Sequence, residues 1–430
     1  MTAPAESVTK APEAEAGTQR RPWALWLALP VVLFLAWRAL AWGVAGWLVG
    51  GDEVGGEQAH RALAWVPDHP TALFLAAQAD QASDPAEARR HLQTLLDTVP
   101  THAWGWLLLA ELSADDGAQE ASRRQLRTAQ DLAPWDGNLH YRAADLWLRL
   151  GDLPAALAAW DRAMRADGRW RKALYPRLLR LVEVLGDASP LAPLAAAHPD
   201  WWLGFFRHAA RPPTDLTLVR QLYAMEGSVG EARVQERAVF LDRLMQDGQW
   251  LEAYLTWLGS LDERQRRHLG LVYNGGFELP LSNAGFGWRS RDAQGVKVER
   301  KRTYGVSGDR ALALQYRGRP VADRHLYQIV LLQPGDYRLT YRARPDSLRA
   351  AEGVRVAVRC RGDSTRRLAH GERLLGVYQW RSDVVKFTVP AEGCPAQEIG
   401  LEVVTERHRD RTLKGVLWLD DFRLRPEGNP

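Results

Sequence analysis

A 34-residue period constrains this sequence more than any other feature. Ala88, Ser122 and Ala156 fall in one register, each step being 34 residues. The same register aligns Leu75, Leu109 and Ala143. It also aligns Ala76, Ala110 and Ala144; Leu92, Leu126 and Trp160; and Pro100, Pro134 and Gly168. Between these positions apolar residues recur with helical spacing, and breaks fall at Ser83-Asp84, Gly117-Ala118 and Gly151-Asp152. Such a period predicts stacked pairs of antiparallel helices. Small residues let two helices approach at their crossing, and larger ones fill the space between units. Proline ends the second helix because it cannot continue one.

The clearest unit is NLHYRAADLWLRLGDLPAALAAWDRAMRADG, residues 138–168. In period and pattern the three units over 69–170 resemble the tetratricopeptide repeat. That resemblance implies an α-solenoid whose groove binds a protein partner. Residues 57–66 read as a preceding half-unit. After 170 the register is lost, with helices expected at 171–186, 190–197, 201–210 and 214–225. A unit returns at 234–262, with Phe240, Leu241, Leu244, Gly248, Ala253 and Trp257 at matching offsets. The helical domain is therefore expected over 57–269.

Upstream, residues 1–22 carry no apolar period and read as a disordered cytoplasmic tail. Residues 23–50 read as a transmembrane anchor. The stretch 23–42 supplies the roughly 20 apolar residues a spanning helix needs, interrupted by Arg38 alone. Pro30 is tolerable there, and Trp23, Trp26, Trp37 and Trp42 cluster towards the two ends as interfacial belts do. Lys10, Arg20 and Arg21 precede the run, and Asp52, Glu53 and Glu57 follow it. The positive-inside rule then places the N-terminus in the cytoplasm and the rest across the membrane. In a bacterium this describes a single-pass inner-membrane protein with its bulk in the periplasm. The alternative is a cleaved signal peptide, with Ala39-Leu40-Ala41 as the cleavage site.

Near residue 270 the helical period stops. Short alternating segments begin: 296–300, 311–316, 326–332, 336–343, 354–360, 384–390 and 416–424. In DYRLTYRA, Tyr337, Leu339 and Tyr341 alternate with Arg338, Thr340 and Arg342, which predicts one apolar and one polar face. Charge shifts as well. Residues 271–430 hold 28 Lys and Arg against 19 Asp and Glu, whereas 1–270 hold 28 against 33. A basic domain attracts polyanions, an acidic polysaccharide among them; a solvated arginine-rich surface is the plainer reading. Both cysteines, Cys360 and Cys394, lie in this part. Two cysteines are too few for a zinc cluster. In an oxidising compartment they suit a disulfide; the alternative is two buried free thiols.

Three local patterns occur in order: Asn274-Gly275-Gly276-Phe277-Glu278 with Phe286-Gly287-Trp288, then Gln333-Pro334-Gly335-Asp336-Tyr337-Arg338-Leu339, then Trp418-Leu419-Asp420-Asp421-Phe422-Arg423-Leu424. Together they resemble the galactose-binding-like jelly roll of bacterial carbohydrate-binding modules, over 270–427. The resemblance implies a structural calcium near Glu278 with Asp420 or Asp421, carboxylates of a type calcium accepts. It also implies aromatic sugar platforms, for which Trp288, Tyr304, Tyr327, Tyr378 and Trp380 are the candidates. Each has core packing as its alternative, and so do most of the 19 tryptophans.

No nucleophile elbow, zinc-protease helix, P-loop or dinucleotide fingerprint is present. The 11 histidines are scattered. His408, among Arg407, Arg409 and Arg411, reads as a basic surface loop. The fold class expected is multidomain α + β: one transmembrane helix, an α-solenoid and a C-terminal antiparallel jelly roll. The expected function is a non-enzymatic membrane-anchored scaffold that docks a protein through its repeats, in the setting of cell-envelope polysaccharide synthesis or export. The alternatives are a carbohydrate-binding protein holding an acidic glycan, and a structural protein whose sandwich merely caps the solenoid. No nucleic-acid partner is expected.

Overall fold

A computed structural model describes residues 23–51, 55–225, 230–290, 295–362, 366–405 and 411–427. The tail at 1–22 and the loop around His408 lie outside the described residues. The chain divides into two compact units, one ending at Trp170 and the other starting at Arg171.

The first unit is helical: α1 (Trp23–Leu48), α2 (Gly56–Trp65), α3 (Pro70–Asp80), α4 (Pro85–Thr98), α5 (Ala103–Asp115), α6 (Gln119–Leu132), α7 (Gly137–Arg149) and α8 (Leu153–Ala166). Its stretch Leu29–Leu48 is long and apolar enough to cross a membrane, and a signal sequence would pass the same test. Leu29, Val31, Val32, Leu33, Phe34, Leu35 and Leu40 are exposed. From Ala41 onward the helix changes role. Ala41, Ala45 and Val49 are buried in one cluster with Ala62, Val66 and Ala72, so the last turns of α1 belong to the folded unit.

The 34-residue register is a packing register. Ala76, Ala110 and Ala144 on the first helices, and Ala88, Ser122 and Ala156 on the second, are all fully buried. The Ser122 hydroxyl donates to the Ala110 carbonyl at 2.8 Å, so a polar residue is accommodated at this small-residue position. Gly117 (φ +80°) and Gly151 (φ +73°) close the first helices of two units in the left-handed conformation that glycine adopts without penalty. Asp84 and Asp152 then cap the second helices of their units through the backbone N–H groups of Glu87 and Ala155. Between units, the Arg142 guanidinium forks onto buried Glu111 at 2.7 and 2.8 Å.

In the second unit come α9 (Arg169–Leu185, which crosses the division), α10 (Ala192–Ala197), α11 (Trp202–Ala209), α12 (Leu216–Ala224), α13 (Gly230–Gln246), α14 (Trp250–Gly259) and α15 (Glu263–Arg266). The repeat register is lost here, and α9 contains Pro176. A helix pair returns at α13 and α14, with Gly248 at φ +73° between them. The same unit contains the strands. The short passage Leu269-Gly270-Leu271 predicts a close contact, and one is present. Trp257 and Tyr254 meet Phe286 with ring centroids at 5.7 and 5.1 Å. The Arg289 guanidinium bonds the Asp242 carboxylate at 2.7 Å. A Cβ on Gly285 would fall 2.5 Å from the Trp257 ring, so only glycine permits this approach.

Among the described residues ten strands follow: β1 (Arg289–Ser290), β2 (Val296–Arg302), β3 (Arg310–Pro320), β4 (Leu326–Val330), β5 (Gly335–Arg349), β6 (Val354–Arg361), β7 (Arg367–His370), β8 (Arg381–Val389), β9 (Ala396–Val403) and β10 (Thr412–Pro426). They form two antiparallel five-stranded sheets, ordered β1-β4-β9-β6-β7 and β2-β3-β10-β5-β8. A continuous core joins them. Tyr337, Leu339 and Tyr341 point into it, as their alternation with Arg338, Thr340 and Arg342 predicts. Three strands fall outside the sequence expectation: the two-residue β1, β7, and β9 in the middle of the first sheet.

Candidate functional site

Three of the five aromatic candidates are buried or pack against the core, and two meet outside it. Trp288 is 1% exposed and packs between Phe277 and Phe422, with centroids at 5.1 and 5.0 Å. It is a core residue and offers no face to a ligand. Tyr327 lies on β4 and is almost fully buried. Tyr378 packs against the core, and burial pushes its hydroxyl up to about 12. Tyr304 and Trp380 come together. Trp380 donates its indole N–H to the Tyr304 carbonyl at 2.8 Å.

The partner that joins these two is one the sequence reading did not single out. Arg344 projects from the outer face of β5, in register with Trp418 of β10. Its guanidinium carbon lies 4.6 Å from the Tyr304 ring centroid, 4.9 Å from that of Trp418 and 5.4 Å from that of Trp380. Arg342, two residues earlier and on the same face, sits 5.4 Å from the Trp380 ring. Arg344 is only 9% exposed, whereas Tyr304 is 64% exposed. Burying a guanidinium is costly unless it is paired. Among the described residues, Arg344 donates one hydrogen bond, from Nη2 to Thr303 Oγ1 at 3.2 Å, and forms no ion pair. Its Nε is buried without an acceptor. Three aromatic faces offset part of that cost, each by about 0.5–2 kcal/mol. The result is a cationic centre inside an aromatic cage, opening at Tyr304. The alternation of β5 already marks Arg342 and Arg344 as outward; that Trp418 and Trp380 stand beside them depends on strand order.

The outer face of the other sheet is also charged, but its charges are paired. Glu402 meets Arg355, Arg359 and Arg367 at 3.3, 3.1 and 2.6 Å. Glu398 meets Arg324 and Arg361 at 3.5 and 3.4 Å. Burial opposes ionisation of Glu402, yet the Arg355 and Arg359 guanidiniums hold its carboxyl below the ordinary range.

The carboxylates considered for calcium converge on the loop between β2 and β3. Glu278 Oε1 accepts from the backbone N–H groups of Asp309 and Arg310 at 3.0 and 3.1 Å. Asp420 Oδ2 accepts from the Ser307 N–H at 3.0 Å, and Asp421 accepts from the Ser307 hydroxyl. Asp421 also pairs with Arg423 at 3.0 Å. The carbonyl of Glu278 accepts from Arg300 at 2.8 Å. Asp420 Oδ1 is different. It is buried with no partner, and burial pushes this carboxyl up to about 6. A Cβ on Gly276 would stand 3.8 Å from Asp420 Oδ1 and 3.9 Å from the Ser307 carbonyl oxygen, so two oxygens border one point. Asp420 therefore fits a hard cation. Glu278 and Asp421 already spend oxygens on the loop and on Arg423.

Cys360 and Cys394 form a disulfide, closing off the alternative of free thiols. Both are buried at the end of the sandwich core.

No family model matches this chain, and no curated protein matches it. Among solved structures, a CBM4 structure is 15% identical with a TM-score of 0.28, covering 36% of this chain and 99% of that one. MamA is 15% identical with a TM-score of 0.27, covering 31% and 79%. The CBM22-1 xylan-binding domain of Paenibacillus barcinonensis Xyn10C is 14% identical with a TM-score of 0.24, covering 34% and 88%. Each match is weak and spans about a third of this chain.

Proposed function

We propose that this chain is a non-catalytic, membrane-anchored binding protein of a bacterial envelope, whose sandwich holds an acidic polysaccharide and whose repeats dock a protein. The observation that carries the glycan reading is Arg344: a buried guanidinium, unpaired by any described carboxylate, caged by Tyr304, Trp380 and Trp418 beside Arg342. An exposed ring beside guanidiniums suits a sugar carrying a carboxylate. The ring stacks on the apolar face of the sugar, and the arginine favours bidentate contact with the acid group. Tyr327, Tyr378 and Trp288 have no part in this reading.

The repeats support the scaffold half of the proposal. Two open depressions of about 440 and 300 Å³ lie on them, one along α4 with Leu63 and Leu73, the other between α6, α7 and α8 around Trp147. Both are open to solvent rather than enclosed. The chain is read as non-catalytic because its sequence carries none of the catalytic motifs sought, and because Asp420, wholly buried, is closed to a substrate. A structural calcium would use Asp420, with the Ser307 carbonyl as a further oxygen, and would stiffen the loop that carries Tyr304. The disulfide supports an oxidising compartment. With α1 as an anchor and basic residues before it, that favours a cytoplasmic N-terminus and a periplasmic bulk.

The test is binding of the full chain in detergent micelles to neutral and acidic polysaccharides at two salt concentrations. Binding to an acidic glycan that survives salt and is lost in Tyr304→Ala supports the reading. Binding to every polyanion that salt abolishes reduces the sandwich to a basic surface. No binding at all leaves the repeats as the functional part.

A further inference from the structure

Three side chains from three successive helices meet in the first unit. His60 lies on α2, Asp80 ends α3, and His91 stands in the middle of α4. His60 Nε2 is 2.9 Å from Asp80 Oδ2, and His91 Nδ1 is 3.5 Å from the same oxygen. All three ligating atoms fall within 4.8 Å of one another. On the far side of its ring, His91 Nε2 is 3.2 Å from Glu87 Oε1, one helical turn earlier.

The proton count does not close. A neutral imidazole carries one proton, and His91 faces two carboxylates. If Nε2–H donates to Glu87, the Nδ1 lone pair points at an oxygen of Asp80. His91 Nδ1 is buried and has no hydrogen-bond partner. A cation among the three atoms removes the conflict.

We propose that His60, Asp80 and His91 form a site for a divalent transition metal of the zinc class. Two imidazoles and one carboxylate are a donor set suited to zinc and its neighbours rather than to calcium or magnesium. Bonds of about 2.0–2.1 Å to a tetrahedral zinc place its ligands about 3.3 Å apart. The separations of 2.9 and 3.5 Å around Asp80 Oδ2 bracket that value. Glu87 would act as the outer carboxylate that fixes the ring orientation of a metal-bound histidine. Three protein ligands leave a fourth position for water or for a side chain from a docked partner. Glu87 and His91 both line the 440 Å³ depression, which gives such a partner access. The metal would staple the half-unit α2 to the first complete repeat.

The experiment uses the full chain in detergent, without a polyhistidine tag and stripped by a chelator. Zinc is titrated by calorimetry and cobalt by visible absorption. One equivalent should bind, with a rise in Tm and the d–d bands of cobalt with mixed nitrogen and oxygen ligands. His60→Ala should weaken zinc at least about 100-fold. Its ring is about half exposed and fills no core space, so the fold survives the change. Glu87→Gln should weaken zinc about 10- to 100-fold, the usual range for an outer-shell partner. Equal zinc affinity in the wild type and in His60→Ala overturns the proposal, as does a wild type without a cobalt spectrum. If His91→Ala fails to fold, His60→Ala still decides.

Discussion

The indole N–H of Trp380 donates to the carbonyl oxygen of Tyr304 at 2.8 Å, across 76 residues of sequence. The bond ties the segment before β8 to the loop after β2 and closes the cage over Arg344. Tyr304→Ala should lower affinity for an acidic polysaccharide about five- to tenfold, the loss of one ring contact of about 1–1.4 kcal/mol. Calorimetry at low salt measures this, and circular dichroism should show an unchanged fold because the ring is exposed. Unchanged affinity would remove Tyr304 from the site.

Trp288 should behave in the opposite way. Trp288→Ala opens a cavity beside Phe277 and Phe422 and should cost about 3–5 kcal/mol in urea unfolding. Trp288→Phe should cost less and leave glycan affinity intact. A folded Trp288→Phe variant that loses binding would contradict its placement in the core.

The disulfide between Cys360 and Cys394 spans 34 residues of sequence and restricts the unfolded chain. Its loss in Cys360→Ser should cost about 3–4 kcal/mol in the chain-entropy model. Reductant should lower the wild-type Tm and leave that of the double serine variant unmoved. A wild-type Tm indifferent to reductant would count against this estimate.

His325 makes stability depend on pH. The ring is fully buried, bonded to the Tyr316 hydroxyl at 2.7 Å and to the Ala322 carbonyl at 3.0 Å. Burial lowers its pKa to about 4, opposed by the Ala322 bond and by the charge of Asp323. The unfolded ring protonates near pH 6.5. Its contribution is therefore complete above that pH and is lost as pH falls towards 4, by up to roughly 3 kcal/mol. Urea midpoints at pH 7.5 and 4.5 measure the slope. His325→Gln should flatten it, and an equal slope in the variant would clear His325 of the effect.

Glu402 pairs with three guanidiniums on the first sheet. Glu402→Leu strands Arg355 and leaves Arg359 with Asp323 alone, both arginines being largely buried, and should cost about 3–5 kcal/mol. Thermal unfolding tests this. A loss below 1 kcal/mol would mean that the arginines simply turn to solvent.

The β9 strand shows where reading the sequence alone stopped. AQEIGLEV puts Gln397, Ile399, Leu401 and Val403 inward and Glu398, Gly400 and Glu402 outward. Its glutamates make it resemble a polar loop until the arginines of β6 and β7 are set beside them. The repeats were easier to read, because Ala76, Ala110 and Ala144 mark helix crossings made by neighbouring segments. The pairing of Asn274–Glu278 with the Asp420–Asp421 end was anticipated as a motif. What those carboxylates hold, the 307–310 loop, was not.

By itself, the sequence determined the features that arise between near neighbours: the stacked helix pairs, the apolar helix at the start, the inward and outward faces of β5. Helical period and strand alternation are local, and each states which face a residue occupies. The tertiary structure alone decided which faces meet. Arg344 is caged because strand order sets β5 against β10 and brings Tyr304 and Trp380 over one edge. His60, Asp80 and His91 converge because three helices turn back on one another. Contacts of this kind follow from packing and register over long separations, which no local period encodes.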